Sequence, residues 1–348
     1  MGQTSKMHAT VYMGPGQLEY REMEIPSLGD GDILVKVKRA LTCGTDVKTY
    51  RRGHPKYNPP TLFGHEFAGE IISTGSGVDR FEPGMRVVAA NTAPCNVCYY
   101  CKRGQQNLCS DLLVNLGAFA EYIRVPELIV QQSTFVIPDH LEDVEAAAME
   151  PLACVVHGQD LLKIQTGESV VIIGAGGPIG LMHLQLALKQ GASPIIAIDL
   201  SENRLKTATK LGATLSLNPE VDDVLEEVHE ITDGRGADVV IESAGSLKAW
   251  ESAIDLVRKG GRVQWFGGLP GGTDITLDTV RVHYDELTLH GVYHATPLSF
   301  ERAFRLIEGG VIDISSLITD VVPLAQLEDA LLSMFQGESI KMAINPEG

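Results

Sequence analysis

The chain of 348 residues is long enough for two domains, each burying its own core. Its 28 basic against 45 acidic residues leave a formal charge of −17, and no clustered basic stretch appears, so no nucleic-acid partner is expected. With 44% hydrophobic and 21% charged residues the composition is globular, and the longest apolar runs, 169–173 and 194–198, are strand-sized and far short of the roughly 20 residues of a membrane span.

The first nine residues carry no apolar leader segment, so a cytoplasmic protein without a membrane partner is expected. Up to about residue 150, short runs at 9–12, 33–39, 67–74, 86–90 and 119–125 read as strands separated by glycine and proline, which makes this half mostly β. From residue 169 strand and helix alternate: strands at 170–173, 195–199, 238–242 and 262–266, helices at 178–189, 202–210 and 247–258. A last strand at 287–292 completes six if the weak run 214–217 is the third. Such alternation predicts parallel strands with crossover helices, a doubly wound α/β sheet. After Pro297 come helices at 300–308 and 324–335 and a strand at 340–344, which cannot extend that sheet without a further crossover. They are expected to return to the first domain, giving a division into 1–153 with 296–348, and 154–295.

The 170–173 strand runs straight into Gly174-Ala-Gly-Gly-Pro-Ile-Gly180, and a helix follows. Glycines let the backbone approach a pyrophosphate, which then rests against the free N–H groups of the helix start. Gly174, Gly176, Gly177, Pro178, Ile179 and Gly180 are therefore candidate cofactor residues, although counting from Gly174 the turn is one residue longer than G-x-G-x-x-G. Asp199 ends the next apolar strand, where a carboxylate accepts both ribose hydroxyls of an adenosine and repels a 2′-phosphate; NAD is thus expected over NADP, with Arg204 weakening that preference slightly.

Four of the six cysteines, Cys95, Cys98, Cys101 and Cys109, fall in a C-x2-C-x2-C-x7-C run inside a lobe at 91–112. Four thiolates at this spacing close a tetrahedron around zinc, with Pro94 and Gly104 supplying turns; such a site has no open position, so its role is structural. A second constellation comprises Cys43 in Cys-Gly-Thr-Asp46, His65-Glu66 in Gly-His-Glu-Phe67, and Glu150 in Glu-Pro-Leu-Ala153. One thiolate, one imidazole and two carboxylates suit a zinc that keeps an exchangeable position. Two zinc ions per chain are expected.

Through these motifs and Gly117-Ala-Phe-Ala-Glu-Tyr122 the whole chain resembles the zinc-dependent medium-chain dehydrogenases, most closely the polyol (sorbitol-type) and L-threonine group. The resemblance implies a GroES-like β-rich catalytic domain, a Rossmann domain that binds NAD, and a homodimer or homotetramer. It also implies that Cys43, His65 and Glu66 hold the catalytic zinc, with Glu150 bound directly or through water. Cys154 is then a core thiol on the helix after Pro151. Thr45 by the same resemblance passes the substrate proton towards the cofactor ribose. Many relatives complete that relay with a histidine where this chain has Lys48, whose unperturbed pKa near 10.4 suits ribose or phosphate binding better than proton acceptance at neutral pH.

The expected reaction is reversible oxidation of a secondary hydroxyl in a polyol, cyclitol or sugar. L-threonine 3-dehydrogenase and simple secondary-alcohol oxidation are alternatives; Arg51, Arg52, His54, His283 and His294 near the motifs favour a polar substrate over the latter. A non-catalytic zinc- and nucleotide-binding protein is the alternative of another class, and it requires that Cys43, His65 and Glu66 do not converge.

Overall fold

The computed structural model describes residues 6–55 and 57–347. Part of the segment on which the reading of the N-terminus rests, residues 1–5, lies outside the described residues. The chain forms two compact units, Met1–Ala153 with Ala295–Gly348, and Cys154–His294.

In the first unit Ile33–Leu41 is the organising strand. Ile33, Val35 and Val37 are fully buried while Lys36 and Lys38 alternate with them outward, the period-two pattern of a sheet with one covered face. It pairs antiparallel with Phe67–Thr74, Val35 opposite Ile71 and Ala40 opposite Phe67, and its other edge takes both Tyr122–Val125 and Lys341–Asn345. The sheet runs Thr134–Val136, Arg86–Ala89, Phe67–Thr74, Ile33–Leu41, Lys341–Asn345, Ile318–Pro323. The C-terminal return thus extends this sheet beyond Ile33–Leu41, with Ile318–Pro323 at its edge. A three-stranded sheet of Gln17–Glu24, Lys6–Gly14 and Thr61–Leu62 and a two-stranded one of Thr92–Ala93 and Leu113–Val114 complete the β architecture among the described residues. Gln17–Glu24 is a strand the sequence did not signal, because it lies at a sheet edge with nearly every side chain exposed and carries no apolar alternation.

The second unit is a six-stranded parallel sheet ordered Leu215–Leu217, Ile195–Ile198, Val170–Ile173, Ala237–Glu242, Val257–Trp265, Thr288–Gly291. This is the doubly wound sheet expected, with the weak third run included. Every residue of Val170–Ile173 and Ile195–Ile198 is buried, as befits strands covered on both faces.

Several boundaries differ from expectation. The helix expected over 247–258 is Leu247–Asp255, because Val257 pairs with Ala237 and starts the next strand early. The strand expected at 119–125 is Tyr122–Val125. The helix bearing Cys154 starts at Met149, before Pro151, which is tolerated there because the first helical turn has no intrahelical use for its N–H. Among the described residues no helix is long and apolar enough to cross a membrane.

Candidate active site

Cys43 ends the organising strand's exit and caps the helix Gly44–Arg52. Its Sγ accepts from Thr45 N at 3.5 Å while its own N–H donates to Asp46 Oδ2 at 3.0 Å, a reciprocal cap that aims the sulfur at the positive end of the helix. Thr45 therefore sits inside the first turn and is not the capping residue. Lys48 lies three residues on, half-buried on the same helix.

His65 and Glu66 lie in the two residues before the Phe67–Thr74 strand. Gly64 precedes them with φ +83°, and a Cβ there would stand 2.5 Å from the Phe119 ring, so only glycine fits. His65 Nδ1 is 3.1 Å from Asp46 Oδ1 and 3.4 Å from the Tyr57 hydroxyl, which turns its other nitrogen to the cluster. One ligand atom each of Cys43, His65 and Glu66 lies within 4.8 Å of the others. The three residues converge, as the catalytic alternative requires.

Glu150 is buried in the first turn of the helix Met149–Leu162. Its Oε1 accepts from Asn91 Nδ2 at 3.0 Å, and its Oε2 stands 4.0 Å from His65 Nε2. Cys154 follows one turn later and is half-buried, so the thiol expected in the core is only partly enclosed.

Electrostatics test whether these residues fit a cation. Burial pushes the Glu66 carboxyl up to about 7, with Lys341 and His65 opposing and Glu150 adding to the rise. Burial also raises the Cys43 thiol and the Glu150 carboxyl. For His65 burial acts downward, but Asp46, Tyr57 and Cys43 together hold it well above its ordinary value. These three acidic groups thus crowd a dry site and resist charging together. A divalent cation reverses that preference, because a metal binds the deprotonated forms. Glu66 Oε1 also has no hydrogen-bond partner among the described residues. The donor set of one sulfur, one nitrogen and carboxylate oxygen fits zinc.

In the lobe, the sulfur pairs Cys98–Cys101, Cys95–Cys109 and Cys98–Cys109 are 3.5, 3.4 and 3.9 Å apart. A tetrahedron with metal–sulfur bonds of about 2.3 Å has edges of roughly 3.8 Å, so the four thiols stand where one zinc would hold them. All six cysteines are free of disulfides. Gly104 closes the 3-10 turn Cys101–Arg103 in the left-handed region, φ 73°.

The glycine turn is as tight as a nucleotide cradle needs. Gly174 has φ +78°, a Cβ on Gly176 would meet Arg204 Cβ at 2.4 Å, and one on Gly180 would meet the Gly174 carbonyl at 2.3 Å. The extra residue is absorbed before the helix: Gly177 N donates to the Gly174 carbonyl, Gly177 is the cap, and Pro178 opens the helix Pro178–Lys189. Ile179 and Gly180 then bring first-turn N–H groups that the helix itself leaves unpaired. Asp199 accepts from Gly176 N and Ser201 N, both at 3.0 Å, which ties its carboxylate to the cradle. Burial lowers the Arg204 guanidinium pKa and Asp199 opposes that, so the two charges sit close enough to offset each other.

Some residues at this site had no sequence signal. Tyr57, Asn91 and Lys341 reach it from separate parts of the chain, and only Asp46 stood inside a motif already singled out. Conversely, Arg51 lies with its guanidinium 3.6 Å over the Phe335 ring and His283 packs on Tyr284, so both are engaged elsewhere on their own units.

A β-rich unit with two clusters of side chains suited to a metal ion, and a doubly wound sheet with a tight glycine turn before a helix, are the features of a zinc-binding dehydrogenase of the alcohol dehydrogenase type. Comparison with known proteins agrees. The profile of the alcohol dehydrogenase GroES-like domain matches residues 29–138, and that of the zinc-binding dehydrogenase domain matches 178–309. The chain is 34% identical to the sorbitol dehydrogenase of Bacillus subtilis (strain 168), covering 98% of this chain and 97% of that one. It is 35% identical to the L-threonine 3-dehydrogenase of Pyrococcus furiosus, over 86% and 87%. A zinc-binding dehydrogenase structure from Sinorhizobium meliloti 1021, bound to NADP, superposes with a TM-score of 0.92 at 33% identity over 99% and 100%. The chain belongs to the zinc-type medium-chain dehydrogenases, in the polyol and threonine dehydrogenase group.

Proposed function

We propose that the protein oxidises a secondary hydroxyl of a polyol, cyclitol or sugar, reversibly, with NAD as the partner. The observation that carries this is the buried convergence of Cys43, His65 and Glu66 beside a second carboxylate, Glu150. When bound, zinc supplies a Lewis acid that makes a hydroxyl easier to deprotonate, and NAD supplies the hydride acceptor. The rest is the work of this chain's side chains. Cys43, His65 and Glu66 hold the metal, Asp46 fixes the His65 ring through Nδ1, and Asn91 orients Glu150. Thr45, in the first turn beside Cys43, takes the substrate proton on its hydroxyl, and Lys48 binds the cofactor ribose or phosphate one turn on. Asp199 accepts the adenosine ribose hydroxyls, and the Gly174–Gly180 turn receives the pyrophosphate. The four-cysteine lobe holds a second, structural zinc. The protein works in the cytoplasm as a homodimer or homotetramer.

The test is an NAD+ reduction screen across polyols, cyclitols, aldoses, simple secondary alcohols and L-threonine. Turnover of a polyol, cyclitol or sugar well above the rest is the expected result. A preference for L-threonine, supported by the likeness to the Pyrococcus furiosus enzyme, would replace the reading.

A further inference from the structure

A lysine seldom loses all contact with water, because a buried ammonium is costly unless an anion meets it. Lys341 is fully buried. Its Nζ lies 2.6 Å from Glu66 Oε2 and donates to the Thr42 carbonyl at 2.7 Å. The strand that carries it lies antiparallel to Ile33–Leu41, with Ala343 opposite Leu41. Its next residue, Met342, donates from its N–H to Thr42 Oγ1 at 2.9 Å and accepts from Thr42 N at 3.0 Å. Thr42 immediately precedes Cys43, and Leu41 N donates to the Glu66 carbonyl at 3.1 Å. Two adjacent residues of the C-terminal strand therefore grip the chain just before one metal-binding residue and the side chain of another.

The ion pair also divides the two oxygens of Glu66. Neither oxygen has a hydrogen bond of good geometry among the described residues, but the ammonium pairs with Oε2, 2.6 Å away. A carboxylate held in that way offers a cation one oxygen rather than two.

We propose that Lys341 is a positioning residue of the metal centre, which restrains Glu66 to one-oxygen ligation and brings Cys43 and Glu66 to a common reach. The inference rests on the reading of Cys43, His65 and Glu66 as a zinc site. Without Lys341 the carboxylate is free to swing or to offer both oxygens, and the centre loses the buried ammonium that faces Glu66.

The test uses the full-length, zinc-loaded protein. In Lys341→Met, zinc affinity at this site, measured by chelator competition, falls by about tenfold or more, the range of losses when a partner behind a ligand is removed. The visible absorption of the cobalt-substituted protein changes with it, while the four-cysteine zinc stays in place. Lys341→Arg, which keeps the charge, rescues both to within about threefold. A folded Lys341→Met with unchanged affinity and unchanged cobalt spectrum overturns the proposal. A second comparison holds even if that variant does not fold: Glu66→Gln and Glu66→Gln/Lys341→Met bind zinc equally if Lys341 acts through the carboxylate. A further loss of about tenfold in the double variant overturns it. Should the unmodified protein bind zinc only at the cysteines, the metal reading fails; two zinc ions with an indifferent Lys341 sink this inference alone.

Discussion

A carboxyl group in a dry site ionises only when a cation meets it, and Glu66 has the Lys341 ammonium on one oxygen and the Cys43–His65 cluster within reach of the carboxylate. Glu66→Ala should therefore lose catalytic zinc, and with it turnover by a large factor, as measured by metal analysis and initial rates. Cys154, half-buried and one turn past Glu150, is expected to be dispensable: Cys154→Ala should keep two zinc ions and most turnover. Loss of one zinc in that variant would make the thiol a ligand and overturn the assignment of Glu66 and Glu150. Asp199 is proposed to set the choice between cofactors, and Arg204 stands close enough to soften its charge. NAD+ is expected to be preferred over NADP+, and Asp199→Gly should narrow the ratio of the two kcat/KM values by removing an acceptor and a repulsive charge. Equal use of both cofactors by the unmodified protein would contradict this. The NADP in the Sinorhizobium meliloti neighbour makes that measurement the first to do.

Elements set how far each such change spreads. In the lobe, the sulfurs are brought together by short 3-10 turns, and little apolar material is buried there besides Ala93 and Cys101. Metal binding must then supply much of the local stability. Cys98→Ser/Cys101→Ser should lower the melting temperature and expose the lobe to proteolysis before it alters chemistry at the other centre; a variant that stays folded and keeps both zinc ions would rule the lobe out as a metal site. The helix Pro178–Lys189 depends on close approach at its start. A Cβ at Gly180 would lie 2.3 Å from a carbonyl oxygen, so Gly180→Ala must shift either the turn or the helix, at a cost of about 1–3 kcal/mol and with weakened nucleotide binding by titration. The convergence of the four lobe cysteines was legible because they are local in sequence. The early end of the helix at Asp255 was not, because it is set by pairing of Val257 with a strand twenty residues away.

Across the molecule, stability and acidity are linked through groups buried in their neutral form. His183 is fully buried, its Nδ1 3.1 Å from Gln159 Nε2, and burial drives its pKa down from 6.5 to about 3. The folded pKa lies below the unfolded one, so between pH 6.5 and about 3 the unfolded chain binds the extra proton and stability falls as the pH falls. That contribution amounts to about 1.4 kcal/mol per pH unit below the upper limit. Denaturant melts from pH 7 to pH 4 should show a shallower loss of stability in His183→Gln than in the unmodified protein. Parallel slopes would mean that the ring is charged in the fold or reaches solvent.

The sequence by itself determined whatever depends on neighbours along the chain: the glycine turn between strand and helix, the four-cysteine spacing, the strand alternation of the second unit, and the His65-Glu66 pair. In each case the chemistry needs residues separated by one turn or one strand, so the pattern is written locally. Only the tertiary structure decided which distant groups stand behind them. Lys341 meets Glu66 because the C-terminal strand inserts beside Ile33–Leu41, and Asn91 meets Glu150 from a different segment again. Such pairs carry no periodicity and no spacing. They exist because a buried charge or amide must be matched by whatever the packing brings within about 3 Å, and packing is a property of the whole fold.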